Sequence, residues 1–283
     1  MLLAWLWIAC TADPGSDDSN GEECNAQDIP SEYDVRIGTD PDPAVAGETA
    51  TFQVSVLDGN GCPIDDLQQS HTRMIHSVFV SADLEDFQHL HQEDFEDITA
   101  DDLAMATFHF PITFPTAGDH LVIEDFAHLN RFLQDTEHLT VAGSPAQLPE
   151  PKVDLATTVA VRDVQVEFVW EIPPAFGSEA HLAAYVRDEK GADVTDLVQW
   201  LGADAHIVFV SADLTEAGHT HAWSKGLDNM TPGMEMPALY PGPYVPFHYT
   251  FAEPGLHKAW LQFARAADPE DEYTVPFMFE VAE

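Results

Sequence analysis

One stretch of the chain occurs twice, and this duplication constrains the fold more than any other sequence feature. Each copy carries three histidines with the spacing H-x12-H-x-H, and 206 − 76, 219 − 89 and 221 − 91 all give an offset of 130. The six residues are His76, His89, His91, His206, His219 and His221. Residues 78–84 recur unchanged as 208–214. A duplication of this length predicts two domains of one fold, and 283 residues suffice for two separate cores.

Short runs that alternate between apolar and polar residues predict strands throughout both halves. Residues 51–57 and 164–170 alternate and are rich in β-branched and aromatic residues. Residues 74–81 are largely apolar, which is typical of a strand covered on both faces. Many short strands separated by turn residues predict an all-β chain of two antiparallel β-sandwiches.

Composition shifts divide the chain into five segments. Residues 1–9 are predicted to be a signal sequence and 10–30 a flexible tether, because the first are apolar and the second are rich in Gly, Ser and Asp. The first domain spans 31–143, a Pro-rich linker 144–151 and the second domain 152–283.

The cysteines favour a location outside the cytoplasm. Cys10 follows the apolar run as in a lipidation site, although no Lys or Arg precedes that run. Cys24 and Cys62 would then be left to form a disulfide, which the second domain does not share because Ala192 replaces Cys62 there. We expect a protein of the cell envelope, in the outer membrane or periplasm and attached by lipid; the alternative is an ordinary secreted protein.

The charge balance excludes two classes of partner. Lys and Arg total 10 against 50 Asp and Glu, a formal net charge of −40. Nucleic acids and anionic membrane surfaces both need clustered basic residues, so contact with a membrane is expected only through the lipid. The acidity either keeps the protein soluble, for instance in a salty habitat, or concentrates cations near a site. A protein partner cannot be named from the sequence.

The repeated histidines predict a site in each domain. If the strand from His76 turns back at residues 82–86, an antiparallel pairing places His91 opposite His76, because 76 + 91 equals 78 + 89. His89 then lies diagonal to His76 on the same face, and such neighbours have Cβ atoms about 4.5–8 Å apart. A slip of one residue would place His76 on the other face. The alternative is that the histidines merely shape the tip of a hairpin.

Three imidazoles on one face are ligands suited to copper or zinc. Three histidines leave a fourth coordination position that is either open or filled by water, by a carboxylate, or by His120 or His257, which are also duplicated. Met230, Met234 and Met236 would add thioether ligands that favour Cu(I), unless they only fill gaps in a core. The other histidines are interpreted as strand residues (His109 and His248) or surface residues (His71, His128, His138 and His181).

The duplicated stretch resembles a family of bacterial extracytoplasmic proteins with immunoglobulin-like β-sandwich domains, often described as heavy-metal-associated. The second domain carries the family's residues Asp188, Gly191, Val194, Asp196, Leu197, Leu201, Gly202, His206, Asp213, Leu214, His219 and His221. The first domain has His71 and Thr72 in place of Leu201 and Gly202. Both lack a Pro after the last His, and His120 and His257 replace the usual aromatic residue.

The resemblance implies immunoglobulin-like sandwiches and an envelope location. Together with the histidines it predicts a binding protein that sequesters or delivers a transition metal, with copper favoured. The alternative is a structural or adhesive envelope protein without a metal. We expect no enzymatic activity, because the sequence has no nucleophile elbow and no dinucleotide or phosphate-binding glycine pattern.

Overall fold

The computed structural model describes residues 32–144, 151–222 and 241–283, and it is built almost entirely of antiparallel strands. The signal sequence, the tether, Cys10, Cys24, most of the linker and Met230, Met234 and Met236 lie outside these residues. Within the described part of the chain, no helix has the length and apolarity that a membrane crossing requires.

Domain one contains two sheets packed face to face. The first has the strand order β1-β2-β5 and the second β4-β3-β6-β7. The strands are β1 (Tyr33–Asp40), β2 (Thr49–Asp58), β3 (Ile75–Ser81), β4 (Phe87–Leu90), β5 (Thr107–Thr113), β6 (Gly118–His128) and β7 (Arg131–Val141). A 3-10 turn (Gln92–Asp94) and helix α1 (Ala100–Met105) separate β4 from β5. The sequence did not predict this helix.

Domain two repeats the plan with sheets ordered β14-β10-β9-β8 and β11-β15-β12-β13, and β16 pairs with β15. The strands are β8 (Thr158–Val161), β9 (Val164–Ile172), β10 (Glu179–Asp188), β11 (Leu197–Val198), β12 (His206–Ser211), β13 (Ala217–His221), β14 (Tyr244–Thr250), β15 (Gly255–Arg265) and β16 (Asp268–Val281). The predicted pair of tandem immunoglobulin-like β-sandwiches is confirmed.

Each sandwich has its own core, formed where alternate residues of its two sheets meet. In domain one, Ile75 and Phe79 of β3 pack against Phe52 and Phe110. In domain two, Ile207 and Phe209 of β12 have the same role. Burial of each such side chain stabilises the fold by about 1.5–3 kcal/mol. The alternating pattern in the sequence places these side chains on the inner faces of the sheets, where they are buried.

A third apolar cluster joins the domains. It consists of Val78, Val80, Leu84, Leu121, Ile123, Val208, Val210 and Trp260. Phe87 stacks on Trp260 with ring centroids 4.8 Å apart. The outer faces of the β3 and β12 sheets therefore cover one another. This explains why every residue of β3 and β12 is buried, as the apolar run predicted.

Candidate metal centre

The strand register found in the hairpins is the one that the duplicated spacing predicted. Val78 lies opposite His89 in domain one. In domain two, His206 lies opposite His221 and Val208 opposite His219. Side chains alternate between the two faces of a strand, and residues directly opposite each other share a face. This register therefore places the three histidines of each copy on the outer face of their sheet, toward the other domain. We call them triad one (His76, His89, His91) and triad two (His206, His219, His221).

Triad one brings three ring nitrogens to one point. The His76 Nδ1 lies 3.1 Å from the His89 Nε2 and 3.0 Å from the His91 Nε2, and the last two are 3.2 Å apart. Three nitrogens bound to one ion at about 2.0–2.1 Å in a tetrahedral arrangement would be about 3.3–3.4 Å apart. The observed spacing is within a few tenths of an ångström of that arrangement.

The opposite nitrogen of each triad-one ring faces an oxygen that can only accept. The His76 Nε2 donates to the Ser70 carbonyl oxygen at 2.8 Å, and the His91 Nδ1 donates to the Asp94 Oδ2 at 2.7 Å. The His89 Nδ1 donates to the Gln262 Oε1 at 2.8 Å, an orientation supported by the Gln262 Nε2, which donates to the Thr274 Oγ1. Each neutral ring has one N–H, so the three converging nitrogens all present lone pairs.

Triad two repeats this geometry. The His206 Nδ1 lies 3.1 Å from the His219 Nε2, and the ring centroid of His221 is 4.6 and 4.7 Å from those of His206 and His219. The His206 Nε2 donates to the Trp200 carbonyl oxygen at 3.0 Å, and the His219 Nδ1 donates to the Asp125 Oδ2. In each triad one ligand atom from every histidine lies within 4.8 Å of the others.

A tight turn positions the first histidine of each triad. Residues 71 and 72 have φ of 48° and 70°, and residues 201 and 202 have φ of 49° and 76°. Two successive positive φ values are typical of a type I′ turn. The first residue of the turn is Ser70 or Trp200, and its carbonyl oxygen also accepts a hydrogen bond from the ring Nε2 of His76 or His206. The turn therefore fixes the ring orientation of His76 and His206.

Burial keeps five of the six triad histidines neutral. Loss of hydration lowers the pKa of His76, His89, His206 and His221 well below 6.5, and neighbouring histidines lower it further. Burial also lowers the pKa of His91, although Asp94 opposes the shift. A metal ion needs the neutral imidazole, so at neutral pH these rings are in their ligand form.

Two predicted ligands are placed elsewhere. His120 lies opposite Ser81 in β3, and His257 lies opposite Ser211 in β12. Five residues separate each of these serines from the first triad histidine, so the side chains lie on opposite faces of the sheet and about 16 Å apart along the strand. The prediction that His120 and His257 supply a fourth ligand is wrong. They belong to the sandwich cores, where they contact Phe114 and Phe251.

Two histidines interpreted as surface residues are covered by other side chains, His128 fully and His71 partly. His71 stacks on His221 with centroids 3.7 Å apart and also faces Phe132; burial, followed by the influence of His219, lowers the pKa of His71 to about 3. His128 is 3% exposed and bonds to Tyr33 and Asp66. His138 is exposed and His181 half-buried, while His109 and His248 lie in strands as predicted. The sequence did contain one indication that His71 is covered: in the alignment of the two copies it corresponds to Leu201, an apolar residue.

Sequence reasoning also missed the two residues that orient the middle histidines, Asp125 and Gln262. They are repeat equivalents, because each follows its duplicated histidine (His120 or His257) by five residues. Each lies opposite the first histidine of its own triad. Each nevertheless bonds to a histidine of the other domain.

The fold and the two triads define a class of tandem β-sandwich protein with paired three-histidine clusters. The chain belongs to the family described as a domain of unknown function, DUF8832, whose model matches residues 28–143 and again 158–283. The double match supports the tandem arrangement that the sequence predicted. No curated protein matches the chain.

Solved structures with some likeness share little of the overall arrangement. FetP of uropathogenic Escherichia coli is 11% identical with a TM-score of 0.31, over 44% of this chain and 92% of that one. The E. coli adhesin FdeC is 14% identical with a TM-score of 0.25, over 88% of this chain and 64% of that one. The Yersinia pseudotuberculosis adhesin InvE is 10% identical with a TM-score of 0.24, over 86% and 58%. This chain thus spans less than two thirds of either adhesin, and none of these likenesses bears on function.

Proposed function

We propose that the protein binds transition-metal ions in its two triads, with copper favoured over zinc, and serves in sequestration or delivery. The observation that carries the proposal is the set of three converging lone pairs in triad one. In each ring, the nitrogen that points away from the other two histidines donates its proton to an oxygen. The three nitrogens that converge therefore carry no proton with which to form hydrogen bonds to one another. A cation bound by all three would satisfy them.

The nature of the ligands supports copper or zinc. Neutral imidazole suits both ions, whereas Mg²⁺ and Ca²⁺ prefer oxygen ligands. Among divalent ions of the first transition row, copper binds nitrogen ligands most strongly. Met230, Met234 and Met236 lie outside the described residues, and any contribution from them remains a prediction.

The burial of the ligands favours binding over catalysis. His76 and His91 are each 1% exposed, so a substrate larger than an ion would have little access to them. A cavity of about 280 Å³ lined by His76, Asp125, Phe132, His219 and His221 offers a path by which an ion would enter. Such a path is one requirement of a loadable metal site.

The proposal places the protein outside the cytoplasm, anchored by lipid at Cys10. Cys62 is disulfide-bonded, and disulfides persist mainly in oxidising compartments. Cys10 and Cys24, the other cysteines, lie outside the described residues. Lipidation is open to direct test by mass spectrometry of the protein isolated from membranes.

The test is metal content and thermal stability of the purified chain, after dialysis against Cu(II) or Zn(II), in the wild type and in the variant His89→Gln, His91→Gln, His219→Gln, His221→Gln. We expect bound metal and a raised Tm in the wild type, and neither in the variant. The matched control changes four histidines outside the triads, His109, His138, His181 and His248, to Gln, and we expect it to bind metal normally.

If the wild type and the control variant bind no metal and their Tm values do not respond to it, the metal proposal fails. The alternative of a structural or adhesive envelope protein would then replace it. Circular dichroism of the metal-free variants shows whether loss of binding reflects loss of the fold.

A further inference from the structure

The two triads lie against each other across the domain interface. The ring centroid of His89 is 5.1 Å from that of His219 and 6.0 Å from that of His206. The centroid of His76 is 5.7 and 6.0 Å from the same two rings. These separations are close to those within a triad, where the His76 and His89 centroids are 5.3 Å apart.

This contact limits the distance between two bound ions. An ion about 2.0–2.1 Å from a ring nitrogen is about 3.2 Å from that ring's centroid. The His89 and His219 centroids are 5.1 Å apart, so the ions in the two triads can be at most about 11.5 Å apart. Ions at that distance interact electrostatically, and more strongly than in bulk water because most of the triad side chains are buried.

Each triad is completed by the opposite domain. Gln262 of domain two accepts from His89 of triad one, and Asp125 of domain one accepts from His219 of triad two. Acceptors of this kind fix the orientation of a ligand ring and raise its basicity. The two triads are therefore fully arranged only when the domains are docked.

The charges around the triads do not balance two divalent ions. Imidazole binds a metal ion in its neutral form, so the six histidines bring no negative charge to the bound ions. Among the described hydrogen bonds, the Asp94 carboxylate accepts from His91 and the Asp125 carboxylate accepts from His219, and the negative charge of Glu93 also acts on His91. Arg73 lies 3.1 Å from Asp94 and offsets part of its charge. Because repulsion scales with the product of the charges, two dications repel each other four times as strongly as two monocations at the same distance.

From this geometry and charge we infer that the triads form one paired centre, shared by both domains, that holds two Cu(I) ions but only one divalent ion tightly. The inference rests on the proposed metal function and narrows it to an oxidation state and a stoichiometry. Because the ligands of the two triads are chemically the same, the number of tightly held ions depends on the repulsion between the ions, which is larger for divalent ions than for Cu(I).

The experiment compares two titrations of the purified full chain. Under anaerobic conditions with a competing chelator, Cu(I) should fill two sites whose affinities differ by less than tenfold. Zn(II) should fill one site, and its second equivalent should bind at least tenfold more weakly than the first, which corresponds to about 1.4 kcal/mol. Two equally tight Zn(II) ions would overturn the paired centre while leaving the metal function intact. Binding of neither ion would refute the metal function itself.

A second measurement tests the sharing between domains. In the background His219→Gln, His221→Gln, where only triad one remains, Gln262→Ala should weaken Cu(I) binding about 10- to 100-fold. The control Lys258→Met removes a different contact across the interface, from Lys258 to the Leu84 carbonyl and Glu85, and should leave the affinity unchanged. Equal losses in both variants would assign Gln262 only a general role in docking and would overturn the shared site.

Discussion

Domain one has a polar pair in its core where domain two has an apolar one. Ser77 lies opposite Glu124 and donates to its Oε2 at 2.7 Å. The equivalent pair in domain two is Ile207 and Leu261, both fully buried. The Glu124 Oε1 has no hydrogen-bond partner among the described residues. The two copies thus differ inside the sandwich and agree at the triad.

This difference shows where the fold tolerates change. A core accepts different side chains when their volume and patterning suit the sandwich. A three-histidine cluster needs its nitrogens placed to within a few tenths of an ångström, together with the turn and acceptors that orient the rings. Within this one chain, the two copies agree in the spacing of their histidines, in the turn before the first of them and in the face of the sheet that carries them.

The first prediction tests whether the two triads respond alike to acid. The pKa of His76 and of His206 is lowered well below 6.5 by burial, so their contribution to stability is fully present above pH 6.5 and is lost as the pH falls toward the folded-state pKa. Each such histidine can make the free energy of unfolding fall by up to about 1.4 kcal/mol per pH unit.

His76→Gln and His206→Gln should therefore each reduce the steepness of acid destabilisation, and by similar amounts. The measurement is urea unfolding of the metal-free protein between pH 7.5 and 5, with the exposed His138→Gln as control. A reduction in only one of the two variants would show that the triads are not equivalent despite their shared geometry.

The next effect concerns the core pair itself. Burial raises the pKa of Glu124 well above 4.5. The stability associated with protonated Glu124 is fully present below about pH 4.5 and declines as the pH rises toward the raised folded-state pKa. Giving domain one the residues of domain two, Ser77→Ile with Glu124→Leu, should raise the free energy of unfolding at pH 7.5 by about 1–4 kcal/mol.

The gain should be smaller at pH 5, because the wild type is then less destabilised. Glu124→Gln, which keeps the shape and removes the charge, is the control, and it should remove the pH dependence that Glu124 contributes without adding the apolar gain. Chemical unfolding of the three proteins at pH 7.5 and pH 5 measures their free energies of unfolding. A double variant less stable than the wild type at pH 7.5 would mean that the polar pair stabilises domain one.

The strand register of the histidine hairpins could be predicted from the sequence, but the residues of the other domain that contact them could not. Alternation and the duplicated spacing fixed the register of His89 against Val78, because a slip of one residue would reverse every side chain. The apolar run of β3 indicated that both faces are covered, yet nothing in it showed that the second cover is the other domain. The roles of Asp125 and Gln262 depend on that docking, and docking depends on surfaces far apart in the sequence. His120 was misassigned because its strand partner, Ser81, was unknown.

The smallest expected effect lies in the turns before the triads, which touch each other across the interface. A Cβ on Gly202 would lie 3.2 Å from the Thr72 Cγ2. Thr72 has a positive φ of 70°, which costs a residue with a Cβ about 1–2 kcal/mol. Thr72→Gly should therefore raise the free energy of unfolding by up to about 1 kcal/mol, since the greater chain entropy of Gly offsets part of the relief.

The reverse change, Gly202→Thr, adds both strain and crowding and should lower the free energy of unfolding by about 1–3 kcal/mol. In the double variant the crowding disappears because the Thr72 methyl group is gone, so the combined loss should be smaller than the sum of the single effects. Thermal unfolding of the four proteins gives this coupling. Strict additivity would mean that the two turns do not press on each other. The close contact between the triads would then depend on the apolar interface cluster and on the hydrogen bonds of Gln262, Asp125 and Lys258 across the interface.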